Sequence, residues 1–290
     1  MNQTQTPPTT LGGVPIKNSR DVINEDTRIC CLTYGLPKSG KTSMLATFDK
    51  WCRDTYGKPG LCLAFEAAEG GGITTIRDSE VLYAQPPDLK STEAMLRGLM
   101  SDTQFAAVYV DNLTDLVKNI VQPYALTFPS REHIATRVAG VPERSDYQTM
   151  GEKTRVLLNM MIALTKTSPA TRKHLIVNAL RAEKRDNNNN LEYVGPDLPG
   201  ALREFGAAPF ELVASIEIKM KVVPDPNNPK ATIRQQQHMF NTKGDGVKVA
   251  GDRYKVFPGE APADWYTLME QYWKPAIFKK EATATAVVTP

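Results

Sequence analysis

The sequence predicts an α/β fold built on a mostly parallel sheet flanked by helices, and three observations predict it. Short uninterrupted apolar runs at 28–34, 60–65, 105–110 and 174–180 alternate with longer segments whose apolar residues recur at helical spacing. A glycine-bearing loop joins the first run directly to a helical segment. In the final third the pattern changes to strict alternation before a proline-rich turn, which gives the sheet a C-terminal antiparallel hairpin edge.

The elements follow in order. Residues 1–24 are polar and proline-bearing, with neither a basic start nor an apolar run, and read as a flexible N-terminal arm without an export signal. One domain, 25–275, opens with the strand 28–34, a loop, and a helix at 43–51. The run 60–65 is a second strand that ends in the acidic, glycine-rich turn 66–72. Residues 81–84 form a third, and a helix at 91–100 carries Met95, Leu96, Leu99 and Met100 on one side. The strand 105–110 ends in Asp111. Residues 113 to about 142 read as a helix and then a loop, punctuated by Pro123, Pro129 and Pro142. A longer helix at 147–166 presents Val156, Leu157, Met160, Met161 and Leu164. The strand 174–180 runs into the charged, asparagine-rich segment 181–190, which cannot be core. Residues 216–222 alternate, 224–229 turn the chain, 232–241 return, and 262–273 form a closing helix. Residues 276–290 read as a flexible C-terminal tail.

Composition sets bounds. A chain of 290 residues with 41% hydrophobic and 23% charged residues can bury a sizeable core. A formal charge of +3 restricts any nucleic-acid surface to a local patch. Cys30, Cys31, Cys52 and Cys62 lack metal-ligand spacing and fall mostly in core strands, which points to a reduced, cytoplasmic setting. His133, His174 and His238 are scattered and suggest no metal site, and Trp51, Trp265 and Trp273 read as core. No apolar stretch approaches the roughly 20 residues that span a bilayer.

The chemistry concentrates at 35–42, where Gly35, Gly40, Lys41 and Thr42 fill every fixed position of the phosphate-binding loop. Glycine permits backbone angles and close approach that a side chain would block, so the loop Pro37, Lys38, Ser39 and Gly40 can turn its N–H groups, which Pro37 alone lacks, toward phosphates. The helix that opens with Lys41, Thr42 and Ser43 adds its positive dipole end. Lys41 would bridge the β- and γ-phosphates, and Thr42 would place its hydroxyl on Mg²⁺. The ligands expected are therefore ATP or another nucleoside triphosphate, and Mg²⁺.

Asp111 ends a hydrophobic strand two strand-and-helix units later, which is how a metal-side carboxylate is delivered to a nucleotide edge. Glu66 and Glu69 compete as the carboxylate that orients water; Glu69 is favoured because it precedes the glycines 70–72, and the alternative is that both are solvated turn residues. Arg172, Lys173, Arg181, Lys184 and Arg185 bracket one strand, with Arg181, Lys184 and Arg185 together on the following segment and Tyr193 available for base stacking. The alternative for these cations is a solvated charged loop.

The motif order resembles the RecA-like P-loop ATPase core, and within it the phage-encoded ATP-binding proteins of single-strand annealing and recombination. The resemblance covers roughly 25–272 and rests on Tyr34-Gly-Leu-Pro-Lys-Ser-Gly-Lys-Thr42, Phe65-Glu-Ala-Ala-Glu-Gly-Gly71, Val108-Tyr-Val-Asp-Asn-Leu113, and Ser145-Asp-Tyr147 heading a long helix. The strand 174–180, Pro196-Asp-Leu-Pro-Gly200 and Gly251-Asp-Arg-Tyr254 complete it. It implies an ATPase of the host cytoplasm that acts on single-stranded DNA, as a homo-oligomer and with a single-strand-binding or annealing protein as partner. By position it implies Glu69 as the water-orienting glutamate, Asp111 as the magnesium-side carboxylate, and 181–197 as a mobile DNA-contacting loop holding Arg181, Lys184 and Arg185. It further implies Lys248 or Arg253 as a cation supplied to a neighbouring subunit, against the alternative of intramolecular ion pairs. The chain departs from the family at the end of the fourth core strand, where a polar residue, commonly His, is usual: Asn178 is the candidate γ-phosphate sensor, and Leu180 cannot serve.

Two other classes remain open on the residues alone. A small-molecule kinase would need a lid, which 113–145 with Arg131, Arg137 and Arg144 could supply. A regulatory module would bind nucleotide without turnover.

Overall fold

The computed structural model describes residues 10–11, 14–15, 26–66, 72–127, 141–199, 202–225 and 228–278. Two short strands, β1 (Thr10–Leu11) and β2 (Val14–Pro15), pair with each other. All else is organised by one ten-stranded sheet.

Its parallel body runs in the order β5 (Leu82–Ala84), β4 (Gly60–Ala64), β6 (Ala107–Asp111), β7 (His174–Arg185), β3 (Cys30–Gly35) and β9 (Leu212–Asp225). Antiparallel strands extend it beyond β9, first β10 (Asn228–Asn241) and then β12 (Glu260–Pro262). Two further antiparallel strands lie off this path: β8 (Leu191–Pro196) on the far half of β7, and β11 (Gly251–Asp252) on the start of β9. The expected hairpin edge is therefore present, but its first strand also belongs to the parallel body, because β9 pairs with β3.

The apolar runs are uninterrupted because both faces of the sheet are covered. Side chains alternate across a strand, so Cys30, Leu32 and Tyr34 enter one core while Ile29 and Cys31 enter the other. The first core packs against α2 (Leu89–Ser101), α5 (Arg144–Ala163), and the helix made of α3 (Leu113–Leu116), a π-helical turn at Val117–Val121 and α4 (Gln122–Thr127). The second core packs against α1 (Lys41–Tyr56) and the closing helix, α7 (Trp265–Leu268), which continues through a π-helical turn into α8 (Lys274–Ile277). A short helix, α6 (Leu202–Phe205), precedes β9.

α1 is the element that matters most for the site. Met44, Leu45, Phe48, Trp51 and Cys52 are buried at helical spacing. Phe48 meets Trp265 edge-on at 5.5 Å, an arrangement worth about 0.5–1.5 kcal/mol beyond the area it buries. Trp51 Nε1 donates to Glu270 Oε1 at 2.9 Å, and Trp51, Trp265 and Trp273 are all fully buried, as expected of core residues. Asp49 accepts from the Gly60 N–H at 2.6 Å and from Arg53 Nε at 2.7 Å, which ties the helix to the start of β4. Gly57, at φ 65°, ends the helix in the left-handed region with its N–H on Arg53 O.

One segment differs from the sequence expectation. Residues 181–196 form an antiparallel β-hairpin that prolongs β7 through Arg185 and returns along β8, where a mobile loop over 181–197 was expected. The turn is held by Asp186, whose Oδ1 accepts from the N–H groups of Asn188 and Asn190. All four cysteines are buried free thiols. Among the described residues no helix is long and apolar enough to cross a membrane.

Candidate functional site at the carboxyl ends of the parallel strands

In open α/β sheets ligands bind outside the carboxyl ends of the strands, and a cleft of about 690 Å³ lies at that edge. Pro37, Lys38, Ser39, Gly40, Lys41, Thr42 and Ser43 form one wall; Glu66, Asp111, Asp115, Leu180 and His238 contribute to the rest. The ends of β3, β4 and β6 converge there, and β7 passes it at Leu180 before continuing to Arg185.

The loop between β3 and α1 has the backbone of an anion cradle. Lys38 at φ 63° and Gly40 at φ 92° are both left-handed, which turns successive peptide N–H groups in one direction. Gly40 is the N-cap of α1 and no side chain caps the helix, so its first N–H groups remain available to a ligand. A Cβ at Gly35 would fall 2.5 Å from Ser39 Oγ and 2.6 Å from Ile216 O, so that position admits only glycine.

Lys41 is buried, with Nζ donating to Gly35 O and Leu36 O at 2.9 Å each. Burial pushes its ammonium pKa down, and the carboxylates of Asp111, Glu66 and Asp115 oppose that shift. A cation held by weak carbonyl acceptors in a cleft is poised for a stronger anion.

Thr42 and Asp111 meet. The Thr42 hydroxyl donates to Asp111 Oδ2 at 2.7 Å, and Asn178 Nδ2 donates to Oδ1 at 3.1 Å. Thr33 Oγ1 in turn donates to Asn178 Oδ1 at 2.5 Å, so a polar chain links β3, β7, β6 and α1. Asp111 is only 3% exposed, and desolvation raises its carboxyl pKa against the lowering effect of Thr42, Asn178 and Lys41. An oxygen-only pair of hydroxyl and carboxylate beside an anion cradle fits a hard, octahedral cation such as Mg²⁺, which binds through one or two carboxylates and completes its shell with water and phosphate.

No protein-family model and no curated protein matches this chain.

Other sequence-predicted residues are placed as follows. Glu66 lines the cleft, where its Oε2 accepts from the Gly72 N–H at 2.5 Å; desolvation raises its pKa, with Asp111 and Asp115 adding to the effect. Glu69 lies outside the described residues, as do Arg131, Arg137 and His133. Arg144 opens α5. Leu180 lines the cleft, while Asn178 is engaged with Asp111.

On the hairpin, each cation has an acidic neighbour: Arg181 meets Glu183 at 2.5 Å, Lys184 meets Glu192 at 2.7 Å, and Arg185 reaches Glu183 at 3.6 Å. Arg172 and Lys173 lie at the opposite end of β7, and Lys173 is fully buried against Asp102. Tyr193 donates to Pro196 O and Arg203 O. Lys248 pairs with Glu217 at 2.6 Å and Arg253 with Glu211 at 3.8 Å, which are the intramolecular pairs weighed as the alternative for these cations. Arg253 stands at the other edge of the sheet, beside a separate cleft of about 710 Å³ lined by Arg28, Arg172, Glu211 and Tyr254.

Asn112, Asp115 and His238 are among the residues of the cleft that sequence reasoning missed. Asn112 caps α3 by accepting from the Asp115 N–H at 2.9 Å, and Asn112 Nδ2 donates to Asp115 Oδ2 at 2.6 Å. The run Val110, Asp111, Asn112 and Leu113 contains that N-cap signal. His238 had no local signal at all, since it reaches the loop from 199 residues away.

Proposed function

We propose that this chain binds ATP together with Mg²⁺ in the cleft above β3 and hydrolyses it. The observation that carries the reading is the 2.7 Å contact between Thr42 and Asp111 at the mouth of a loop whose lysine is buried and whose Gly40 is left-handed. Phosphoryl transfer to water asks for positioning and charge compensation more than for covalent chemistry, and these residues supply both.

The loop N–H groups and the N-terminus of α1 take the α- and β-phosphates, and Lys41 exchanges Gly35 O and Leu36 O for phosphate oxygens. Thr42 and Asp111 would hold Mg²⁺, which would neutralise phosphate charge when bound. Asn178 orients Asp111 through its amide and is, by resemblance, the candidate γ-phosphate sensor. Glu69 orients the attacking water by resemblance, and Glu66 lines the cleft.

The finer reading, a RecA-like P-loop ATPase of phage recombination acting on single-stranded DNA as a cytoplasmic homo-oligomer, rests on the order of motifs. If DNA is taken by Arg181, Lys184 and Arg185, it must displace Glu183 and Glu192 from them, so the gain per phosphate is reduced by the pairs broken. Lys248 and Arg253 would likewise have to leave Glu217 and Glu211 to serve a neighbouring subunit.

Steady-state ATP hydrolysis with and without single-stranded DNA, at two salt concentrations, tests both layers. Magnesium-dependent phosphate release supports the first, and stimulation by DNA that weakens with salt supports the second. Transfer to a small acceptor, or tight binding without release, would replace hydrolysis by the kinase or the regulatory reading.

A further inference from the structure

We infer that His238 is a positioning residue of the nucleotide loop, acting through the peptide between Ser39 and Gly40. This rests on the proposed nucleotide reading of the cleft and names a part of it that comes from a remote strand.

His238 Nδ1 stands 2.7 Å from Ser39 O. A carbonyl oxygen can only accept, so Nδ1 carries the proton and donates. The Ser39–Gly40 peptide is trans, and in a planar trans unit the carbonyl and the following N–H point in opposite directions. Anchoring Ser39 O toward β10 therefore aims the Gly40 N–H away from β10. At the helix N-cap of this loop, that is the N–H a β-phosphate would use.

The anchor is rigid. His238 pairs with Ile218 in the β9–β10 register, and its carbonyl accepts the Ala263 N–H at 2.9 Å, so the strand is held from both sides. A Cβ at Gly40 would come within 3.0 Å of His238 Nδ1. Gly40 thus answers to two demands at once, a φ of 92° and the close approach of the imidazole.

The interaction exists before and during phosphoryl transfer, so its loss should act as lost uniform binding: KM rises and kcat changes little. The decisive comparison uses His238→Ala, His238→Asn and His238→Gln in the full-length chain, with ATP affinity from equilibrium titration, kinetics from phosphate release, and thermal melting as a folding control. Asparagine places its amide near the position of Nδ1, and glutamine places its own near Nε2.

We expect the Ala and Gln variants to bind ATP about ten-fold more weakly, the worth of about one hydrogen bond, with kcat within about three-fold of the parent and Asn restoring most of the affinity. Parent-like affinity in the Ala variant, or equal losses in all three variants, would overturn the assignment. If the unmutated chain binds no ATP, the nucleotide reading itself fails, which the same titration separates from failure at His238. A variant that does not melt cooperatively is set aside, and the Asn against Gln contrast decides.

Discussion

The Asn178 amide donates to Asp111 Oδ1 from the adjacent strand, and this 3.1 Å contact is what holds a nearly inaccessible carboxylate in one orientation. The two residues lie one step beyond the last register pair of β6 and β7, Val110 with Val177. With Thr42 on the other oxygen, Asp111 is fixed at both ends before any ligand arrives. Under the proposed reading, a carboxylate buried in this way serves ligand binding at the expense of ligand-free stability.

Asp111→Asn should therefore separate stability from activity. Desolvation raises the Asp111 pKa in the folded chain, so its favourable contribution is present only below the unfolded value near 3.9 and is lost as pH rises through the folded pKa. At pH 7 the ionised group is a net cost. The Asn variant should melt at a higher temperature than the parent in the absence of ligand, while magnesium-dependent hydrolysis falls at least about 100-fold. Calorimetry and phosphate release check the two halves, and a lower melting temperature would contradict the first.

Glu66 and Glu69 should differ in kind. Gln at 66 can still accept the Gly72 N–H through its carbonyl oxygen, so Glu66→Gln should keep turnover within about five-fold. Glu69→Gln should retain ATP and lose at least about 100-fold in turnover, as expected for a group that orients the nucleophile. Single-turnover assays on both variants decide it, and the reverse pattern would move the role to Glu66.

Acid sensitivity should come from His174. Its Nδ1 accepts the Ile29 N–H at 3.0 Å, its Nε2 meets Tyr56 O–H at 3.0 Å, and it is enclosed by Phe48, Trp51 and Tyr56. Burial, reinforced by Arg28, pushes its pKa well below the usual value, so the unfolded chain binds the proton first. The stability it contributes is complete above about pH 6.5 and declines below it by up to about 1.4 kcal/mol per pH unit. Urea titrations between pH 5 and 8 should show that decline in the parent chain. In His174→Asn, which keeps an acceptor for Ile29 but loses aromatic contacts, stability should be lower at pH 7.5 and its slope below pH 6.5 flatter.

Much of this was legible because it is local. Each apolar run became a strand, and Gly40, Lys41, Thr42 and Asp111 stand together in the cleft, just after Gly35 closes β3, because each sits at the carboxyl end of a strand or at the start of α1. The segment after Leu180 was misread for a physical reason: asparagine and charge signal a loop, but Asp186 gathers its own neighbours into a turn and the cations pair across or along the hairpin. The role of β9 as both a parallel strand and half of a hairpin is a tertiary choice made by β3, with which its first five residues align. His238 was invisible for the same reason, because its partner is a backbone carbonyl far away in sequence.

The account stands most directly on Lys41, whose Nζ is held by carbonyl oxygens that a triphosphate would replace. Equilibrium titration of ATP with Mg²⁺ into the parent chain and Lys41→Ala measures that exchange. The account predicts saturable binding by the parent and at least about 100-fold weaker binding by the variant, with folding intact. Equal affinity in the two proteins, or no binding by the parent, would contradict it.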